Sequence, residues 1–255
     1  MGRVIAFISG KGGVGKTTVV ANTALVLSEL GKRTVVVDGN VTTPNLSMHL
    51  GIPLYPLTLH DVLKGEIPIH EATYIHPSGL KVIPGGIGIE DLEGINLDYL
   101  SHSISMLAEN HEYVLIDGAA GLGREALKAM EIADDIVVVT NPDLPSVTEA
   151  LKVKKLAEEF DTNVMGVVVN RIRGKRTELT DNEIKSLLEL PILGKIPEDP
   201  LVPESIHKKI PIVQHRATAP ASMALKRFGA NLIGENIEIK SPGIFQRIAQ
   251  WLLGY

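Results

Sequence analysis

Gly10-Lys11-Gly12-Gly13-Val14-Gly15-Lys16-Thr17-Thr18 fits the phosphate-loop pattern G-x-x-x-x-G-K-[ST] and carries a second lysine directly after its first glycine. Glycines let backbone N–H groups converge on phosphate oxygens, Lys16 brings a point charge to β- and γ-phosphates, and Thr17 offers a hydroxyl to Mg²⁺. The flanks decide the fold. Arg3-Val4-Ile5-Ala6-Phe7-Ile8 is a short apolar run suited to a buried parallel strand, and Thr17 to Leu30 has helical spacing through Val20, Ala24, Leu25, Leu27 and Leu30. The loop thus joins a strand to a helix N-terminus, where unpaired amides and the helix dipole favour an anion. Every residue from Gly10 through Thr18 is a candidate nucleotide contact.

With 255 residues, 44% of them hydrophobic, the chain can bury a large core, and doubly wound α/β folds reach this size as one domain. A net charge of −5 argues against a globally basic nucleic-acid binder. The absence of cysteine excludes disulfides, thiolate metal sites and cysteine nucleophiles. The N-terminus leads straight into the first strand without a signal peptide, and no apolar run reaches the roughly 18 residues of a spanning helix. A cytoplasmic protein is expected.

Strand and helix signals then alternate. Arg33 to Asp38 reads as a strand, and Pro44 to Leu50 as a short helix. The looser stretch from Gly51 to Gly94 holds a helix at Leu59 to Lys64 and a strand at Leu80 to Ile83. A helix near Leu97 to Ala108 precedes buried-strand candidates at Tyr113 to Asp117, Ile136 to Thr140 and Val164 to Asn170. Helices separate these, notably Ser146 to Phe160, and Pro191 to Ile196 supplies a last strand. Repeated units of this kind predict a doubly wound α/β fold: a mostly parallel sheet with helices on both faces and ligands at the carboxyl ends of its strands. Asp38 and Asp117 each close an apolar strand, so both carboxylates fall on the edge that carries the phosphate loop. With Thr17 they are candidate Mg²⁺ partners, largely through water, because magnesium takes few carboxylates and keeps several waters. Asp38 as a cap of the following helix is the alternative.

Lys11 beside the first glycine marks a deviant Walker A loop, and the chain resembles the MinD/ParA family of P-loop ATPases over nearly its whole length, closest to archaeal MinD-like members. The resemblance rests on Ser9 to Thr18, on Val35-Val36-Val37-Asp38-Gly39-Asn40 followed by Pro44-Asn45-Leu46, and on Leu115-Ile116-Asp117-Gly118-Ala119-Ala120-Gly121. It continues through Thr140-Asn141-Pro142, Val167-Val168-Val169-Asn170-Arg171 and Ile196-Pro197-Glu198-Asp199. The resemblance implies ATP/ADP and Mg²⁺ as cofactors and an ATP-dependent homodimer in which Lys11 reaches the partner's nucleotide while Lys16 serves its own. It also implies a regulatory or cargo protein as partner, adenine contacts at Asn170 and around Pro197-Glu198-Asp199, and ATP hydrolysis in spatial positioning, such as that of the division site.

Asn40 departs from that family, which normally has an aspartate there to orient or deprotonate the attacking water. An amide can accept a hydrogen bond from water but cannot take a proton. Phosphoryl transfer depends chiefly on positioning and electrostatics, so hydrolysis should slow while nucleotide and Mg²⁺ binding persist. Lys11, Lys16 and Asn40 are the candidate catalytic residues. A slow ATPase, a non-hydrolysing ATP-bound scaffold, a chain carrying a substitution that traps the ATP state, and an enzyme that turns over adequately because the amide positions the water all fit. Where Ala119 stands the family more often has proline, which would fix the loop more firmly. A ParA-like DNA-partition ATPase is a further alternative, supported only by Arg171, Arg173, Lys175 and Arg176.

The expected ATPase domain spans 1–238, and residues 239–255 form an amphipathic tail. At about 100° per residue, Trp251, Ile244, Tyr255, Ile248, Leu252, Phe245, Ala249 and Leu253 fill one continuous arc of a helix. Ser241-Pro242 suits its start. Trp, Tyr and Phe on such a face suit a membrane interface, which predicts a peripheral anchor, Ile244 to Tyr255, at the inner face of the cell membrane. The polar face offers only Arg247, so docking on the protein body is the alternative.

Overall fold

In the computed structural model, which describes residues 1–235, strands and helices alternate. The order is β1 (Arg3–Ser9), α1 (Lys16–Glu29), β2 (Thr34–Gly39), α2 (Leu46–Leu50), α3 (Leu59–Leu63), β3 (Tyr74–Ile75), β4 (Lys81–Ile83), α4 (Asp98–Asn110), β5 (Tyr113–Ala120), α5 (Arg124–Ile132) and β6 (Asp135–Thr140). It continues with α6 (Leu144–Glu159), β7 (Asn163–Ile172), α7 (Asp181–Leu188), β8 (Ile192–Pro197), α8 (Leu201–His207), α9 (Ile212–His215) and α10 (Pro220–Leu232). The tail boundary at 238 and the segment from Ile244 to Tyr255 lie outside the described residues.

The strands form one sheet in the order β3-β4-β2-β5-β1-β6-β7-β8. All its pairings are parallel except β3 against β4. Both faces are covered, which is why the strands read as unbroken apolar runs. Val4, Ala6, Ile8, Val35, Val37, Val114 and Ile116 point into the layer built by α3 to α7. Ile5, Phe7, Val36, Leu115, Val137 and Val168 point into the layer built by α1, α2, α9 and α10. The doubly wound expectation holds.

The register positions the chemistry. Asp38 on β2 stands opposite Asp117 on β5, which in turn stands opposite Phe7 on β1. The two acidic residues therefore end up level with each other, just below the loop that leaves β1. Three details differ from the sequence reading. The two-residue β3 pairs antiparallel with β4 at the sheet edge, too short to show a period. Helix α6 starts at Leu144 because the Asp143 carboxylate caps it, accepting from the Ser146 amide at 2.9 Å, with Pro145 in the first turn. The described chain ends with α8, α9 and α10, none of them assigned from sequence.

Candidate nucleotide-binding site

The phosphate loop is shaped by its neighbours as much as by its own glycines. Gly15 precedes α1 in a left-handed conformation, φ 90°, and a Cβ there would lie 2.3 Å from Asn170 Nδ2. Gly10 packs so closely on α6 that a Cβ would meet the Glu149 carbonyl at 2.4 Å. Val14 is buried, and its carbonyl accepts from Asn170 Nδ2 at 2.7 Å. The end of β7 thus braces the loop from beneath. Gly12 and Gly13 are exposed along its crest, and Thr17 and Thr18 lie half-buried in the first turn of α1.

Lys16 is only 6% exposed, and its Nζ donates to Asp117 Oδ1 at 2.5 Å. Asp38 is fully buried and accepts the Leu46 amide at 2.9 Å through Oδ2, so it does cap α2 as one reading of the sequence held. Its other oxygen, Oδ1, has no hydrogen-bond partner, nor has Asp117 Oδ2 or the nearby strand-end Ser9 Oγ. Two buried carboxylates against one lysine leave an excess negative charge in a dry place. Burial, with the Asp117 carboxylate as second cause, pushes the Asp38 carboxyl up to about 8. A cation at this floor would relieve both the charge and the orphaned oxygens. Asp38, Asp117 and Thr17 therefore fit a hard divalent ion, which Asp38 can serve without giving up its cap on α2.

Asn40 lies half-buried just beyond Asp38. Its Nδ2 donates to the Thr43 carbonyl at 2.6 Å and to Thr43 Oγ1 at 3.0 Å, folding the loop back on itself. Lys11 sits at the rim with its side chain 40% exposed, and its contact with Asp143 Oδ1 is loose at 3.4 Å.

Beside the loop opens a cavity of about 410 Å³, reached past Gly15 and Thr18 and walled by Asn170, Arg171, Pro197 and Ile206. A largely apolar slot of this size with a few polar groups suits a flat base. Asn170 and Asp199 both border it, but their polar atoms have structural duties. The Asn170 amide nitrogen holds Val14, and Asp199 accepts the Leu201 amide at 3.0 Å and the Ala221 amide at 3.1 Å. Pro197 ends β8 at the cavity mouth. The apolar walls from α8 and α10, Val202, Ile206 and Leu225, were missed in the sequence, where they carry no motif. Arg171, which ends one of the resemblance motifs and was otherwise read as part of a basic loop, sits at the cavity edge with a positive φ of 58°. That loop is closed by acid, since the amides of Arg173, Gly174 and Lys175 all donate to Glu178.

A phosphate loop at the carboxyl edge of a parallel sheet, with an acidic floor and a base-sized slot alongside, defines a P-loop nucleotide-binding protein. Residues 5–212 match the model of the CobQ/CobB/MinD/ParA nucleotide binding domain, and the chain belongs to that family. An uncharacterized ATP-binding protein of Methanocaldococcus jannaschii is 37% identical over 238 residues, covering 93% of this chain and 90% of its own length. The cell division ATPase MinD of Pyrococcus furiosus superposes with a TM-score of 0.88 at 33% identity, across 91% of this chain and 99% of that one. The septum site-determining protein MinD of Pyrococcus horikoshii OT3, solved in complex with Mg-ADP, also gives 0.88, at 31% identity over 92% and 97% of the two chains.

Proposed function

We propose that this chain is a MinD-like ATPase switch that binds Mg-ATP, pairs with a second copy of itself in the ATP state, hydrolyses ATP slowly and acts in division-site positioning. The observation that carries it is the contrast between the two lysines of one loop. Lys16 is buried on Asp117, whereas Lys11 stands at the rim, loosely held and able to meet an anion arriving from outside. The solved relative with Mg-ADP supports the nucleotide and the ion, and the MinD names of the solved relatives support the cellular role.

The residues divide the work. Loop amides from Gly10 to Thr18 receive the phosphates, and Lys16 provides positive charge where negative charge accumulates during transfer. Asp38, Asp117 and Thr17 would hold Mg²⁺, which when bound neutralises phosphate charge. Asn40 orients water through its carbonyl oxygen without accepting its proton. Lys11 adds charge to the partner's nucleotide. Arg171, Pro197 and Ile206 flank the base, while Asn170 and Asp199 act through the backbone they hold. The segment from Ile244 to Tyr255 would bring the paired molecule to the inner face of the membrane, since two linked anchors bind more tightly than one.

A non-hydrolysing ATP-bound scaffold is the second reading, favoured by the uncharged Asn40. Calorimetry and turnover on Lys11→Ala and Lys16→Ala test the assignment. Lys16→Ala should weaken Mg-ATP binding about 10- to 100-fold, as expected for a lost charge-assisted contact, while Lys11→Ala should bind normally and lose turnover. Unchanged affinity in Lys16→Ala would remove the basis of the site. Tight binding without turnover in the unaltered chain would select the scaffold.

A further inference from the structure

Asn40, which the proposed function has facing the attacking water, sits on a loop held from both sides by groups outside the nucleotide motifs. On one side is His60, fully buried on α3. Its Nδ1 faces the Gly86 amide at 2.8 Å and its Nε2 faces the Val41 carbonyl at 2.9 Å. A backbone N–H can only donate, so Nδ1 is the bare acceptor. Nε2 therefore carries the proton and donates to Val41, the residue after Asn40. One neutral imidazole ties the Asn40 loop to the Pro84–Gly86 segment, which also accepts the Leu59 amide through Pro84 at 2.8 Å. A capping box between Thr58 and Asp61 fixes the start of α3 and with it the ring. On the other side, Glu125 of α5 accepts the Thr42 amide at 3.1 Å and the Thr42 hydroxyl.

We propose that His60 is a positioning residue for Asn40, fixing the height of the loop above the phosphate site by holding the Val41 carbonyl, with Glu125 as the counter-anchor at Thr42. This rests on Asn40 facing the attacking water. The ring's two hydrogen bonds go to Val41 and Gly86, neither of them assigned to the nucleotide or the ion, so nucleotide affinity should not depend on them. A shift of the loop would misplace the amide, and small misplacements of a positioning group are costly in rate.

Three full-chain variants separate the two hydrogen bonds. His60→Leu removes both, His60→Asn keeps an acceptor near Gly86, and His60→Gln keeps a donor that reaches Val41. The Leu variant should lower kcat about tenfold with KM for Mg-ATP nearly unchanged, and the Gln variant should recover most of that rate while the Asn variant does not. Amide exchange over residues 40–46 gives a readout independent of turnover, and should accelerate about tenfold in the Leu and Asn variants but not in the Gln variant. Equal rates and equal exchange in the Gln and Asn variants would overturn the role of His60, even if the Leu variant fails to fold. If the unaltered chain binds ATP without hydrolysing it, the ATPase reading fails, and the exchange pattern alone decides whether His60 holds the loop.

Discussion

At the scale of single residues, the floor of the phosphate site is an electrostatic imbalance held in place by the fold. Asp38 and Asp117 are level because β2 and β5 pair in register, and Lys16 neutralises only one of them. A cation bound there would satisfy the orphaned oxygens, and burial, with the Asp117 carboxylate beside it, pushes the Asp38 carboxyl up to about 8. In the function proposed above, Asn40, two residues on, sets the speed of the reaction more than its occurrence. Substituting Asn40→Asp restores a group that can accept a proton, and turnover should rise about 100-fold, near the lower end of general-base contributions. Steady-state phosphate release from both proteins measures this, and equal rates would show that position 40 does not handle water. Phe228 governs a different property. It is buried edge-to-face on Phe7, with ring centroids 6.3 Å apart, and Gly194 leaves room for it under the sheet. Phe228→Ala should destabilise the protein by about 3–5 kcal/mol in a denaturant melt, as other large aromatic truncations do. A loss below about 1 kcal/mol would mean the site collapses around the vacancy.

At the scale of elements, what could be read in the sequence depended on the range over which each signal acts. The phosphate loop is local: the glycine spacing, the strand before it and the helix after it lie within thirty residues, and β1 and α1 follow within a residue or so of expectation. Asp38 and Asp117 were legible because an acidic residue ending an apolar strand is a one-strand pattern, and parallel pairing does the rest. Nothing of that kind announces the cavity beside the loop. Its walls come from the start of α1 and from β7, β8, α8 and α10, brought together only by tertiary packing, and Ile206 or Leu225 looks like any core residue. Asn170 and Asp199 were found but with other hydrogen bonds than the base would need, since side-chain direction does not follow from position on a strand end. His60 was invisible as more than a helix residue, because its partners Val41 and Gly86 lie in two separate loops. The hairpin of β3 and β4 carries a prediction of its own. His76 between them accepts the Ser78 amide at Nδ1 and faces the Leu50 carbonyl at Nε2, and burial lowers its pKa. The folded state therefore binds this proton less readily than the unfolded chain, so its contribution is present above the ordinary pKa of 6.5 and is lost as pH falls through the lowered value. Melts of the unaltered protein and of His76→Gln at pH 7.5 and pH 5 should show a smaller acid loss in the variant; parallel curves would contradict the assignment.

At the scale of the whole molecule, the sheet gathers the phosphate loop, Lys11 and the Asn40 loop on one edge, so an approaching second copy would meet them all together. No helix among the described residues is long and apolar enough to cross a membrane. The proposed membrane role rests on residues 244–255, outside the described residues, which include the chain's one tryptophan, Trp251. If pairing gates that anchor, Mg-ATP should increase sedimentation with anionic liposomes and shift Trp251 emission to the blue, and removing residues 241–255 should abolish both while nucleotide binding persists. Unfolding of the shortened protein, with the full chain indifferent to liposomes, would instead assign the tail to the protein body. If nucleotide state sets oligomeric state through Lys11, molar mass by light scattering with Mg-ATP, Mg-ADP and no nucleotide will read it directly. The chain should double its mass with Mg-ATP alone, and Lys11→Ala should stay monomeric while still binding the nucleotide; one mass under all three conditions, or an ATP dimer that survives Lys11→Ala, would contradict it.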